Sequence, residues 1–405
     1  MPESIPVLPE EFLADLESHS FQEIAQTISA AFLADDVPRE DLQSIVAHSM
    51  NLDVKIHQLD DQTSVLETFH GPTMAFKDFG ARFMARLMSY LIQGEDRALT
   101  ILVATSGDTG SAVASGFLAI PGIRVIILYP SGKVSPSQEK QLTTQGQNIQ
   151  ALEVSGTFDD CQRLVKHAFS DTELRAAHRL SSANSINIAR LLPQTFYYAY
   201  AAGQMRQMEG ELIVSVPCGN FGNLTAGVLA KRMGTPIKHF VAATNSNDVF
   251  PKYLSDGIYK PRSSVQTLSN AMDVGDPSNL ARIQYLFADD LQSIRKEISS
   301  WSFSDFQTLE MIGSTFKQFK YIIDPHTAVG LLGFREYQHA TATKTHGLVV
   351  STAHSAKFSE TVEPVIGQKI TIPPQLAKYL DRKKQATSMS TQYQDFRQYL
   401  MDTLG

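Results

Sequence analysis

The sequence predicts an α/β protein built on doubly wound parallel sheets, and three observations predict it. From residue 64 onward, short apolar runs alternate with longer amphipathic segments. A crossover helix between such runs returns the chain to the same end of the sheet, so the strands run parallel. The runs are continuously apolar and not alternating, which suits sheets covered on both faces. With 405 residues, 43% hydrophobic and 19% charged, the chain can also fill a large core and form about two or three domains.

Residues 1–52 read as a helical region: Phe21, Ile24, Ala25, Ile28 and Phe32 fall at helical spacing, and Pro38 opens a second helix with Leu42, Ile45 and Val46 on one face. Expected strands are Ser64–Phe69, Leu99–Ala104, Arg124–Tyr129, Gln150–Val154, Glu211–Pro217, Lys238–Thr244, Tyr321–Asp324 and Gly347–Thr352. Expected helices between them are Phe79–Gln93, Phe158–Phe169, Ile188–Met205, Leu224–Met233 and Thr327–Gln338. Asn245 to Asn279, with Pro251, Gly257, Pro261 and Pro277, breaks the rhythm and reads as a long functional loop, expected to close over a ligand. The expected division is a helical region (1–52), a large domain (53–98 and 205–380), a smaller domain (99–204) and a helical tail (381–405).

The net charge of −7 is spread along the chain without a basic stripe, which argues against nucleic acid and anionic membranes as partners. Arg382-Lys383-Lys384 reads as a solvated helix face. Two cysteines, Cys161 and Cys218, fit a reducing cytoplasm better than a disulfide scaffold. No apolar run approaches the ~20 residues of a membrane span, and no secretion leader is visible, so a cytoplasmic location is expected. The sequon Asn223-Leu224-Thr225 has no meaning there. There is no His-Glu-x-x-His, Cys-x-x-Cys, Gly-x-Ser-x-Gly or Gly-x-Gly-x-x-Gly pattern, so zinc, serine-hydrolase and dinucleotide signatures are all missing.

Ligands of open parallel sheets bind at the carboxyl ends of strands, and four strand-end turns have unusual composition. In His70-Gly71-Pro72-Thr73-Met74-Ala75-Phe76-Lys77-Asp78-Phe79-Gly80, a lysine sits between two phenylalanines before a helix. Apolar walls and a helix N-terminus disfavour an ammonium and release the amine, as a Schiff-base lysine requires. A surface lysine in a capping turn has the same pattern. Thr105-Ser106-Gly107-Asp108-Thr109-Gly110-Ser111 offers hydroxyls and N–H groups at a helix start, either an anion seat or an elaborate N-cap. Cys218-Gly219-Asn220-Phe221-Gly222-Asn223 lets backbone approach a phosphate at a helix N-terminus, though a bare Gly-turn is weak evidence. Thr352-Ala353-His354-Ser355-Ala356-Lys357-Phe358 places a hydroxyl where it can meet a ring nitrogen or bond to backbone.

Together and in this order, these turns resemble threonine synthase of the bacterial and fungal subgroup. Further matching stretches are Ser182–Leu192, Ala243-Thr244-Asn245, Leu268–Val274 and Pro325–Val329, and the similarity runs from about residue 10 to 365. The resemblance implies a fold type II pyridoxal-phosphate enzyme, with two parallel-sheet domains plus the N-terminal helical region. It implies pyridoxal 5'-phosphate as cofactor and the conversion of O-phospho-L-homoserine and water to L-threonine and phosphate. By the same resemblance, Lys77 carries the cofactor and moves protons at the substrate's α and β carbons. Gly219, Asn220, Phe221, Gly222 and Asn223 cradle the cofactor phosphate, Thr352 meets the pyridine nitrogen, and Asp108 lies near the phenolic oxygen. Thr105, Ser106 and Thr109 seat the substrate carboxylate, and Ser185, Asn187 and Arg190 are candidates for its phosphate. Related enzymes of the fold — dehydratases, cysteine synthases, phospholyases — share the lysine and the Gly-turn but need no second phosphate site. Two departures stand out: about 20–30 family residues are expected to precede this start, and Ser355 stands where proline is usual. A small-molecule substrate is the expected partner, and a monomer the expected state.

Overall fold

The computed structural model describes residues 5–184, 187–341 and 343–404. Eleven strands lie among them: β1 (Lys55–Gln58), β2 (Thr63–Glu67), β3 (Leu99–Ala104), β4 (Ile123–Pro130), β5 (Ile149–Val154), β6 (Arg179–Ser182), β7 (Glu211–Pro217), β8 (His239–Thr244), β9 (Ile298–Ser302), β10 (Thr345–Ser351) and β11 (Thr387–Met389). They form two sheets in two compact units, one of Met1–Gly71 with Leu191–Thr371 and one of Pro72–Arg190 with Ile372–Gly405.

The first unit holds a six-stranded sheet in the order β1-β2-β10-β7-β8-β9. All neighbours are parallel except the β1–β2 edge pair. Its strands β8 and β10 are buried along their length, as a sheet covered on both faces demands. The register aligns the carboxyl ends of β2, β10, β7 and β8, so the turns after Glu67, Ser351, Pro217 and Thr244 collect at one edge.

The second unit holds an all-parallel five-stranded sheet, β11-β5-β4-β3-β6. One face packs on the helix Lys77–Leu91, through Ala81, Met84 and Ala85 against Ile101, Val103 and Val125. The other packs on Phe158–Ser170 and on the C-terminal helix Tyr393–Leu404, through Leu164, Phe396 and Leu400. Here too the strand-end turns, after Ala104 and Ser182, meet at one edge.

This division differs from the expected one in four places. The first boundary falls at Gly71/Pro72 and not after residue 98, because the helix Lys77–Leu91 buries its apolar face on the second sheet. The expected helix Ile188–Met205 is two, Ile188–Leu191 and Gln194–Gln204, interrupted at Pro193, which lacks the N–H a continuous helix needs; the second piece belongs to the first unit. The segment 381–405 is no mere tail, since β11 adds to the second sheet and the last helix covers it. The N-terminal helices also belong to the first unit's core: Leu16, Ile24 and Ile28 are fully buried, and Gly203 leaves no room for a Cβ, which would stand 2.8 Å from Leu16 O.

Two further expectations are corrected. Tyr321–Asp324 is not a strand but a lead-in to the helix Pro325–Ala340, with Asp324 as N-cap and proline at its first position. The 245–279 segment is not structureless: it contains the helix Val249–Asp256 and a helical turn at Asn270–Met272.

Candidate active site

Each unit presents its own set of the expected residues. The second unit carries Lys77, Thr105, Ser106, Asp108, Thr109, Asn187 and Arg190, and the first carries Gly219–Asn223 and Thr352. Ser185 lies outside the described residues.

Lys77 is the first residue of the helix Lys77–Leu91, half-buried, with Nζ 5.6 Å from the Phe76 ring centre. The turn before it is closed by Asp78. Its carboxylate accepts the Thr73 N–H at 2.8 Å and the Thr73 hydroxyl at 2.6 Å, and both residues are buried. Met74 takes a left-handed conformation (φ 57°), a strain of order 1–2 kcal/mol that surrounding structure must hold. Gln141 helps, donating from Nε2 to the Thr73 carbonyl at 3.1 Å. At Gly80 a Cβ would lie 2.7 Å from the Arg190 carbonyl oxygen, so the helix rests directly on that backbone.

The Thr105 hydroxyl is engaged inside its own turn. It accepts the N–H groups of Gly107 (3.0 Å) and Gly110 (2.8 Å), while Ser106 and Thr109 are partly exposed. Thr105 therefore holds its own turn in shape. Asp108 begins the helix Asp108–Gly116 and is 5% exposed. Its Oδ1 accepts Gln138 Nε2 at 2.9 Å. The Gln138 amide is itself fixed by a capping box, its Oε1 accepting the Ser135 N–H at 3.1 Å. Gly107 (φ 136°) must be glycine on two counts: the backbone is left-handed, and a Cβ would meet the Gln138 side chain at 2.5 Å.

The turn after β6 is tied to the turn after β3 by Asn184, which donates from Nδ2 to the Ala104 carbonyl at 2.9 Å. Asn187 closes the same loop through Ser182 O (3.0 Å) and the Ala189 N–H (3.0 Å). Arg190 lies beneath it, 3% exposed, donating from Nη1 to Ala183 O at 2.5 Å. Burial pushes its pKa down to about 10, which leaves a full positive charge under the loop at neutral pH.

In the first unit, Gly219 follows β7 where a Cβ would stand 2.6 Å from the Met272 Cα, so the backbone of 271–272 lies directly on the turn. Asn220 is held by Ser278, whose N–H and hydroxyl donate to its Oδ1 at 2.7 and 2.9 Å. Phe221 is left-handed (φ 61°) and opens the helix Gly222–Arg232, the conformation that turns successive N–H groups toward an anion. Asn223 is 6% exposed, and its Oδ1 accepts the hydroxyls of Tyr197 (2.5 Å) and Tyr198 (2.8 Å). Its Nδ2 is buried with no hydrogen-bond partner among the described residues. Cys218 is buried, which pushes its thiol pKa up and makes it an apolar filler. Thr352, 6% exposed, follows β10 directly after Ser351. The Ser351 hydroxyl bonds to Thr327 Oγ1 at 2.7 Å, and Thr327 is capped by Asp324.

Several supporting residues carry no signal in the sequence. Gln138, Gln141, Tyr197 and Tyr198 are ordinary helix residues whose partners lie far along the chain. Asp273 anchors the 245–273 segment by accepting Asn245 Nδ2 (2.9 Å), Thr267 Oγ1 (2.7 Å) and the Thr267 N–H (3.0 Å).

The turns fit pyridoxal phosphate on the evidence of the cradle: a Gly-turn pressed too close for a side chain, a left-handed helix mouth and an orphaned, buried amide donor all suit an anionic acceptor. The chain matches the pyridoxal-phosphate dependent enzyme family over residues 54–353, so it is an enzyme of that class. It also matches the threonine synthase N terminus over residues 1–50 and the threonine synthase C-terminal region over 327–400. It is 42% identical over 399 residues to the threonine synthase of Escherichia coli, covering 98% of this chain and 92% of that protein. The crystal structure of threonine synthase from Escherichia coli superposes with a TM-score of 0.93 at 40% identity, covering 100% of this chain and 93% of that one. The PLP-bound threonine synthase from Brucella melitensis gives 0.92 at 34%, covering 99% and 92%. The chain belongs to the threonine synthase family.

Proposed function

We propose that this chain converts O-phospho-L-homoserine and water to L-threonine and phosphate, with pyridoxal 5'-phosphate carried on Lys77. The observation that carries the choice of substrate is Arg190, a buried cation beneath a strand-end loop of the lysine-bearing unit. A pyridoxal enzyme acting on an unphosphorylated amino acid has no use for such a second anion seat. Ser185 and Asn187 are the loop's candidates for that phosphate, and Arg190 supplies positive potential.

Pyridoxal phosphate, when bound, supplies the electron sink that acidifies protons next to the substrate's amine-bearing carbon. Lys77 holds it from the first turn of a helix, where the positive helix end favours the neutral amine, and then moves protons at the α and β carbons. Gly219–Asn223 holds the cofactor phosphate. Thr352 offers a neutral hydroxyl to the ring nitrogen, which leaves more of the proton handling to Lys77. Asp108, held by Gln138, faces the phenolic oxygen, and Ser106 and Thr109 with the turn's N–H groups seat the substrate carboxylate. Thr105 keeps that turn in shape. The balance is loss of phosphate from the γ carbon, which gains a proton and ends as a methyl group, and addition of the hydroxyl of water at the β carbon, which gives up one proton.

The same reading includes a cytoplasmic monomer. Both cysteines are free and buried, no described helix is long and apolar enough to cross a membrane, and the exposed large apolar residues, such as Val7, Leu91, Ile258 and Phe306, come from separate elements. The test is to add O-phosphohomoserine to the purified holoenzyme and measure phosphate and threonine together. Equal amounts of both support the reading. Phosphate with a keto acid would move the function to the lyase and dehydratase relatives.

A further inference from the structure

Asn223 is the second residue of the helix Gly222–Arg232, and it is oriented by two tyrosines from a different helix, Gln194–Gln204. Tyr197 and Tyr198 both donate to its Oδ1, at 2.5 and 2.8 Å. A phenol has one proton to give, and an amide oxygen has two lone pairs. The two donors therefore saturate the oxygen and fix which end of the amide faces away from them. Turning the amide over would leave the buried Tyr198 hydroxyl proton, whose one hydrogen bond among the described residues is to this oxygen, without an acceptor, and would aim the amide oxygen at the helix mouth. Both rings are essentially fully buried, and burial holds both phenols well above their ordinary pKa, so they stay donors. The amide end that faces away, Nδ2, is buried without a partner among the described residues. A buried donor in that state is unfavourable until an acceptor arrives. It lies in the first turn of an 11-residue helix, beside the left-handed Phe221, where an anion is the favoured acceptor.

We propose that Tyr197 and Tyr198 are positioning residues for phosphate recognition: by locking the Asn223 amide with its NH2 outward, they make that side chain a dedicated phosphate donor. The proposal rests on the reading that Gly219–Asn223 holds the cofactor phosphate, and it assigns selectivity to residues that never touch that phosphate. Without the tyrosines the amide is free to present its oxygen, which repels an anion.

The test compares the affinities of pyridoxal phosphate and of pyridoxal, which lacks the phosphate, for protein stripped of cofactor, followed by absorbance. Wild type, Asn223→Ala, Tyr197→Phe, Tyr198→Phe and the double Phe variant are titrated, and the thermal midpoint of each stripped protein is recorded. Phenylalanine keeps the ring and removes only the donor. The double variant is expected to lose about tenfold or more of the preference for the phosphorylated form, and each single variant a smaller part, as expected for hydrogen bonds to a charged group. A merely structural role would move the thermal midpoint and leave the preference unchanged, which overturns the proposal. Should the double variant not fold, the single variants decide: an unchanged preference in both overturns it. If Asn223→Ala loses the preference and the tyrosine variants keep it, the tyrosine proposal fails while the cofactor-phosphate reading stands. If wild type itself binds both forms equally, that reading fails and takes this proposal with it.

Discussion

Asp78 reaches back to Thr73 and takes both its backbone N–H, at 2.8 Å, and its hydroxyl, at 2.6 Å. The two residues bracket the turn that delivers Lys77 to the start of its helix. Removing the carboxylate leaves two buried donors on Thr73 without this acceptor. Asp78→Ala is expected to lower stability by about 2–4 kcal/mol and to speed cofactor loss. Asp78→Asn, which keeps one acceptor oxygen, should lose less. Urea unfolding and cofactor release would check both, and an Ala variant as stable as wild type would remove the turn from the account.

Gly219 has no space for a methyl group, because a Cβ would meet the Met272 backbone at 2.6 Å. Neither backbone can yield cheaply, so Gly219→Ala is expected to cost about 1–3 kcal/mol from overpacking and to weaken cofactor binding at least about tenfold by displacing the turn. Wild-type cofactor affinity in this variant would show that the turn is not a phosphate cradle.

Much of this was legible in the sequence. Seven of the strands follow from apolar runs with boundaries within about two residues, because central strands of covered sheets are continuously apolar. The other four, β1, β6, β9 and β11, all lie at sheet edges, where short length and exposure dilute the signal. Tyr321–Asp324 misleads because its apolar residues lead into a capped helix, not a sheet. The strand-end turns stand out through glycine and hydroxyl composition. The residues that brace them do not: Gln138 reaches Asp108 across 30 positions, and Tyr198 reaches Asn223 across 25. Nothing local distinguishes a bracing glutamine or tyrosine from any other in a helix. Thr105 shows the converse. Its place in the motif suggests a ligand contact, yet its hydroxyl is turned into its own loop.

Gln138 and Asp108 should act as one group. If Asp108 faces the cofactor's phenolic oxygen, Asp108→Asn will alter the visible absorption of the holoenzyme. Gln138→Leu will produce a smaller change on its own and none when combined with Asp108→Asn, since interacting residues are not additive. An Asp108→Asn spectrum identical to wild type would place the carboxylate away from the cofactor.

Asp273 sets a pH dependence. Burial raises its carboxyl to about 6, against the hydrogen bonds from Thr267 and Asn245 that favour ionisation. Its folded pKa lies above its unfolded value of 3.8, so its contribution to stability is full below pH 3.8 and is lost as pH rises through about 6. Compared with Asp273→Asn, wild type is expected to lose stability steadily between about pH 4 and 6. Parallel urea midpoints for the two proteins across that window would contradict the raised pKa.

Borohydride reduction of the holoenzyme followed by peptide mapping shows whether Lys77 carries the cofactor. One pyridoxyl label per chain is expected, on Lys77, together with a colourless but folded Lys77→Ala variant. A label on another lysine, such as the buried Lys357 beside the Thr352 turn, would contradict it.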